Sequence, residues 1–151
     1  MAEALAVAAS IIAVVQVADR IASICKFFIE SGQEYPRDLR LIYVEVGSLK
    51  VIVEGLSFLD KHDLGSSAMM EALRGDNGPL ERCKNAVEEL DKLFPALPSS
   101  AATGRNRGKD TLQRMMASLA WPLKEGKAKR LLDEIMRYKN TISVALQGQL
   151  L

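Results

Sequence analysis

The sequence predicts an all-α fold, a four-helix bundle whose last helix is kinked or broken near Pro122, on three observations. Apolar residues recur at alternating steps of three and four through four separate stretches, the repeat of a helix that buries one face lengthwise in a bundle. No run alternates apolar and polar residues with a period of two; IYVEVGSLKVIVEG comes nearest, but its apolar seam continues on both sides at helical spacing. Glycine and proline mark the boundaries between the stretches, at Gly32, Pro36, Gly78, Pro79 and Pro95, although Gly47 and Gly55 lie inside the second and weaken it. Four amphipathic segments joined by loops make a bundle.

Bulk properties agree with one folded domain over residues 1–151. The chain has 151 residues with 48% hydrophobic and 26% charged, enough to bury a core and too apolar for a disordered chain. Aromatic residues are 5% of the total, so the core is mainly aliphatic. Cys25 and Cys83 make neither a disulfide framework nor a metal cluster. Both fall on apolar helix faces and read as small core residues, with a reducing, intracellular setting as the default.

Helix 1 runs from Ala2 to about Ser31. From Ala4 to Ala18 no residue carries a charge, and only Ser10 and Gln16 interrupt the apolar run. A helix apolar on every side lies inside protein or in lipid, so this helix is expected to be the buried element of the bundle. After Asp19 and Arg20 the pattern becomes one-sided. The seam is Val7, Ile11, Val14, Ala18, Ile21, Cys25 and Phe28, and Gly32 stops the helix. With Glu3 and no basic residue before Arg20, the start lacks the positive region of a secretory signal. The uncharged run covers about 22 Å as a helix, against about 30 Å of bilayer hydrocarbon. It is marginal for a permanent span, and a marginal segment can be switched.

Pro36 is expected in the first turn of helix 2, where its missing N–H costs nothing. The seam follows at Leu39, Ile42, Val46, Leu49, Val53 and Leu56. Residues 63–78 read as a loop with one helical turn near Ser67 to Leu73. Asp76, Asn77 and Gly78 give a turn and Pro79 opens helix 3, with its seam at Leu80, Cys83, Val87, Leu90 and Phe94, and Pro95 and Pro98 end it. Residues 96–108 form a small, polar, finally basic loop. The last helical region starts near Lys109; Pro122 removes an intrahelical bond and crowds the preceding turn, and the seam resumes at Ala128, Leu131, Ile135, Tyr138, Ile142 and Ala145.

Charge is uneven. Residues 1–98 hold ten Lys/Arg and fifteen Asp/Glu, a net −5, and residues 99–151 hold ten Lys/Arg and four Asp/Glu, a net +6. The basic half is either a solvated helix face or an attractant for an anionic surface. Arg105, Arg107, Lys109, Lys124, Lys127, Lys129 and Arg130 are the residues expected to contact anionic lipid. A nucleic-acid partner is not expected, since no aromatic-interleaved basic strand or zinc-finger spacing accompanies the charge.

No catalytic constellation assembles. His62 is the only histidine, and both cysteines face the core, so no Ser-His-Asp or Cys-His arrangement forms. Glu88, Glu89 and Asp91 read as a solvated acidic face. Gly104 and Arg105 have neither a preceding strand nor the ending of a phosphate loop. The chain reads as no enzyme, with no metal and no cofactor.

The stretches EALAVAASIIAVVQVADRI, LKVIVEGLSFL, GPLERCKNAVEELDKL and WPLKEGKAKRLLDEIMRYKNTISVAL, taken with Gly78-Pro79 and Trp121-Pro122-Leu123, resemble the fungal HeLo-like N-terminal domains of NOD-like (NACHT or ankyrin-repeat) proteins. They cover all four predicted helices. The resemblance implies a bundle related to that of necroptosis-executing pseudokinases, acting as a cell-death output module. Oligomerisation, driven by an upstream receptor or an amyloid-signalling partner, exposes the first helix, and a cytoplasmic protein moves to the plasma membrane and permeabilises it. The residues implied to enter the membrane are Leu5, Val7, Ile11, Ile12, Val14 and Val15, with anionic lipids and further copies of the chain as partners. The rival expectation is a soluble signalling or scaffold domain of a NOD-like receptor, in which helix 1 only packs as core or as a homodimer interface.

Overall fold

A computed structural model describes residues 2–30, 36–61, 73, 78–94 and 121–150, and their side chains over 8–30, 36–59, 73, 78–94 and 124–147. Among these residues there are four helices and no strand: α1 (Ala2–Glu30), α2 (Asp38–Lys61), α3 (Pro79–Asp91) and α4 (Trp121–Leu150). The all-α four-helix bundle is what the apolar spacing requires.

The local starts and stops follow from backbone chemistry. Pro36 and Arg37 stand just ahead of α2, not inside it, and their carbonyls accept from the Leu39 and Arg40 N–H at 3.1 and 3.2 Å. α3 opens on Gly78, whose extended backbone (φ −71°, ψ 163°) makes no side-chain cap, followed by Pro79 at a position that needs no donor. It stops at Asp91, earlier than the proline at 95 implied. Two tight turns, Leu93 N–H to the Leu90 carbonyl (3.0 Å) and Phe94 N–H to the Asp91 carbonyl (3.1 Å), then carry Leu93 and Phe94 into the core. The described part of α4 begins at Trp121-Pro122; the residues just before it, on which the expected break near Pro122 depends, lie outside the described residues. The expected helical start at Lys109, His62 and most of the residues of the predicted loops lie outside the described residues.

The direction of each helix follows from who meets whom. α1 packs on α2 and α3, and α4 packs on the same two, so α1 and α4 occupy opposite corners, as do α2 and α3. Ser10 and Arg20 of α1 meet Glu81 and Asp91 of α3 in that order, so α1 and α3 are parallel. Lys124 and Lys127 of α4 meet Leu93 and Glu89 in reverse, so α3 and α4 are antiparallel. Lys129 and Met136 border the same cleft as Asp38 and Ile42, and Lys139 bonds Glu45 further along, so α2 and α4 are parallel. The bundle is two layers, α1/α3 and α2/α4, running oppositely.

The predicted seams form the core. All six α2 positions from Leu39 to Leu56 are at most 1% exposed, and Ile11, Val14, Ala18, Ile21, Cys25 and Phe28 of α1 at most 3%. Val17 and Ile24 widen the α1 face beyond the predicted seam. On α4, Ala128, Leu131, Ile135 and Ile142 are buried, while Tyr138 and Ala145 lie at the edge. Leu73, the one described residue between Lys61 and Gly78, is also buried. No buried residue among those described is polar or charged.

Candidate functional site

α1 is the element the sequence singles out, and the fold gives it two unlike faces. Ile11, Val14, Val17, Ala18, Ile21, Ile24, Cys25 and Phe28 point inward. Ala9, Ile12, Gln16, Asp19, Arg20, Ser23 and Lys26 point to solvent, with Ile12 56% exposed. The expectation that α1 is buried on all sides is corrected: a corner helix has two neighbours, and they cover one face only. Of the residues expected to enter a membrane, Ile11 and Val14 are core, Val15 is partly buried and Ile12 is exposed. The side chains of Leu5 and Val7 lie outside the described residues.

The continuous helix also changes the length argument. Residues Ala8–Glu30 form a 23-residue stretch long and apolar enough, by length and composition, to cross a bilayer; its most apolar 18-residue window has a mean hydropathy of 1.6, and 39% of that window is buried inside the fold. At 1.5 Å per residue the stretch reaches about 34 Å, against about 30 Å of hydrocarbon.

Ion pairs ring the bundle, and every seam between neighbours carries at least one. Arg20 donates from Nε and Nη2 to the two Asp91 oxygens at 3.0 and 2.7 Å, and Asp91 raises the Arg20 pKa by hydrogen bonding first and charge second. Lys50 of α2 meets Asp19 of α1 at 2.6 Å, and that hydrogen bond raises the lysine pKa. Lys139 bonds Glu45 at 2.5 Å across α4 and α2, with both side chains about 15% exposed. Glu89 of α3 holds Lys92 and Lys127, and their hydrogen bonds lower its pKa.

The structure distributes the basic residues of α4 instead of assembling them. Lys124 donates to the Leu93 carbonyl at 2.8 Å, satisfying the end of α3. Lys127 faces Glu89 on the α3 side at 3.4 Å. Lys129 pairs with Glu125 at 3.0 Å, which raises its pKa, and borders the α2 side. Arg130 is exposed between them. Arg105, Arg107 and Lys109 lie outside the described residues. Of the four expected lipid contacts that fall among the described residues, three are thus already engaged within the bundle.

Two features escape the sequence reading. A cleft of 210 Å³ opens between α2 and α4, with Leu41, Ile42, Leu132 and Met136 as its apolar lining and Asp38, Lys129 and Asp133 as its charged members. It is smaller than the roughly 300 Å³ from which small-molecule sites begin. The second is a stripe on the outer face of α2, where Leu41, Val44, Val51 and Phe58 are 48–67% exposed. Its signal was in the sequence: Leu41, Ser48 and Gly55, and Val44, Val51 and Phe58, each recur every seven residues.

Both thiols are buried, and burial pushes each up to about 12, which makes them packing groups and not nucleophiles. Among the described residues no group of three or more His, Cys, Asp or Glu is placed to hold a metal ion.

A family model described as the pigment biosynthesis cluster protein PigL N-terminal domain matches residues 2–151. Comparison with curated proteins and with solved structures gave no match.

Proposed function

The chain belongs to the PigL N-terminal family, a HeLo-like fungal domain family, and from that premise we propose that it is a membrane-targeting cell-death module. Oligomerisation releases α1, and the freed helix permeabilises the membrane. The observation that supports this reading is the stretch Ala8–Glu30, long and apolar enough to span, with 39% of its most apolar 18-residue window buried in the fold. In this reading the resting protein is cytoplasmic and moves to an anionic plasma-membrane surface. An upstream receptor or amyloid-signalling partner supplies the trigger.

Magnitudes constrain how release happens. The six larger buried side chains of α1 are worth about 9–18 kcal/mol of apolar transfer, at about 1.5–3 kcal/mol each. That matches the whole net stability of a domain, about 5–15 kcal/mol. The exposed ion pairs contribute about 0–1 kcal/mol each. The apolar seam, not the charges, therefore holds α1, and α1 leaves only where lipid or a further copy takes over that burial. Ile12 and Val15, already turned outward or half-buried, make first contact.

The second reading, a soluble signalling or oligomerisation scaffold domain of a NOD-like receptor, is favoured by the same eight-residue wall that α1 gives the core. Dye-loaded anionic vesicles separate the two. Membrane activity gives leakage that rises with protein and falls sharply in Ile12→Asp, whose exposed side chain spares the fold. Deleting residues 1–18 is a poorer test, because it removes Ile11, Val14, Val17 and Ala18 from the core. Vesicles that stay sealed while the protein oligomerises decide for the scaffold.

A further inference from the structure

The outer face of α2 carries Leu41, Val44, Ser48, Val51, Gly55 and Phe58 at heptad spacing, diametrically opposite its buried seam. None of the six is charged. Six of the seven large exposed hydrophobic residues of the described structure lie on the α2/α4 layer, and five of them on α2. We propose that this stripe pairs with the same stripe of a second copy of the chain, antiparallel, about a two-fold axis between Ser48 and Val51.

Size decides the direction. Reversal about that axis sets Val44 against Gly55 of the second copy, Val51 against its Ser48, and Leu41 against its Phe58, a large residue beside a small one in both inner layers. A side-chain carbon added at Gly55 meets no atom within 4 Å, so the hole facing Val44 of the second copy is open. A parallel pairing stacks Gly55 on Gly55 and Ser48 on Ser48, leaving voids that close packing disfavours. Reversal also brings Arg40 of one copy to about 7.5 Å along the axis from Glu54 of the other, on the same flank and within reach of two long side chains.

Charge and area select the occupant and its strength. No charged residue stands within the stripe. Exposed Arg40 and Glu54 flank it on one side, and Glu45 on the other is already held by Lys139. The flank therefore offers one cation and one anion that a reversed second copy pairs and an anionic lipid surface does not. The stripe is about 25 Å long on a helix about 10 Å across. Two such faces bury on the order of 500–1,000 Å², below the roughly 1,200 Å² from which stable complexes start. The pair is therefore weak and forms as concentration rises, as when an upstream assembly gathers copies. The pairing rests on the self-associating reading above, but its test contains no lipid, so failure to pair and failure to permeabilise are told apart.

The full chain is prepared as Val44→Cys and, separately, as Gly55→Cys, and the two are oxidised alone and mixed. Buried Cys25 and Cys83 stay silent. Antiparallel pairing gives a disulfide dimer about tenfold faster in the mixture than in either protein alone, a difference that adding Val51→Glu to both abolishes while the thermal melt is kept. Leu41→Glu repeats the loss from the far end of the stripe. Equal rates in the mixture and the single proteins overturn the proposal. So does crosslinking indifferent to Val51→Glu, or sedimentation as a monomer at every concentration, including the case in which the stripe binds vesicles or another protein instead.

Discussion

Arg20 of α1 and Asp91 of α3 meet in a two-bonded ion pair at 3.0 and 2.7 Å, and the preceding residue, Asp19, holds Lys50 of α2 at 2.6 Å. Successive helix residues stand about 100° apart, so one dipeptide reaches both neighbours of α1, one on each flank of its buried face. The uncharged run of α1 ends at this point.

These pairs orient α1 more than they hold it. The Arg20 side chain is 57% exposed, so Asp91→Asn lowers stability by at most about 1 kcal/mol. The loss shrinks in 1 M salt, where the Debye length is about 3 Å. Urea melts of the parent and variant at low and high salt check this; a loss of several kcal/mol would show that the pair acts as a buried charge.

Core and surface positions of α1 separate by magnitude. Ile21 is fully buried, and Ile21→Ala costs about 2–5 kcal/mol through lost transfer energy and the cavity left behind. Ile12→Ala, at a position 56% exposed, stays within about 0.5 kcal/mol. Chemical denaturation of the two variants side by side reads the difference directly.

Acid weakens the α3/α4 seam through Glu89. Lys92 and Lys127 lower its pKa from the usual 4.5, so the folded state holds the carboxylate more firmly charged than the unfolded chain does. The resulting stability is fully present above 4.5 and disappears as pH falls through the lower folded value. Glu89→Gln should flatten the pH dependence of the urea midpoint in that window and leave its shape near neutrality unchanged.

Thiol labelling reports on the α1/α3 layer. Cys25 on α1 and Cys83 on α3, with pKa values pushed up to about 12 by burial, resist a thiol reagent at neutral pH, and both react once guanidinium unfolds the chain. If vesicles draw α1 away, Cys83 loses its cover and reacts without denaturant; continued protection in the presence of leaking vesicles would place the membrane-active surface elsewhere than α1.

Much of this architecture was legible in the sequence because helix burial has a local signature. Leu39 through Leu56 could be read as one inward face from spacing alone, and Gly78-Pro79 marked the start of α3, since glycine and proline act through their own backbone. The end of α3 was not legible: two tight turns after Asp91 bring Leu93 and Phe94 inward, a choice made by the space they fill and not by Pro95. The basic residues of α4 read as one patch because a charge count has no direction. In the fold Lys124, Lys127 and Lys129 turn to three different partners.

The sequence by itself determined that α1 is helical, apolar through its first half and too hydrophobic to stand in water, because these properties belong to consecutive side chains. Only the tertiary structure decided that α1 stands at a corner, with Ile11 and Val14 inside and Ile12 outside. It likewise decided that the seven-residue repeat of Leu41, Val44, Val51 and Phe58 on α2, already present in the sequence, stands on an exposed face. The physical reason is that periodicity fixes which residues share a face, whereas the number and placement of neighbouring helices fix which faces are covered.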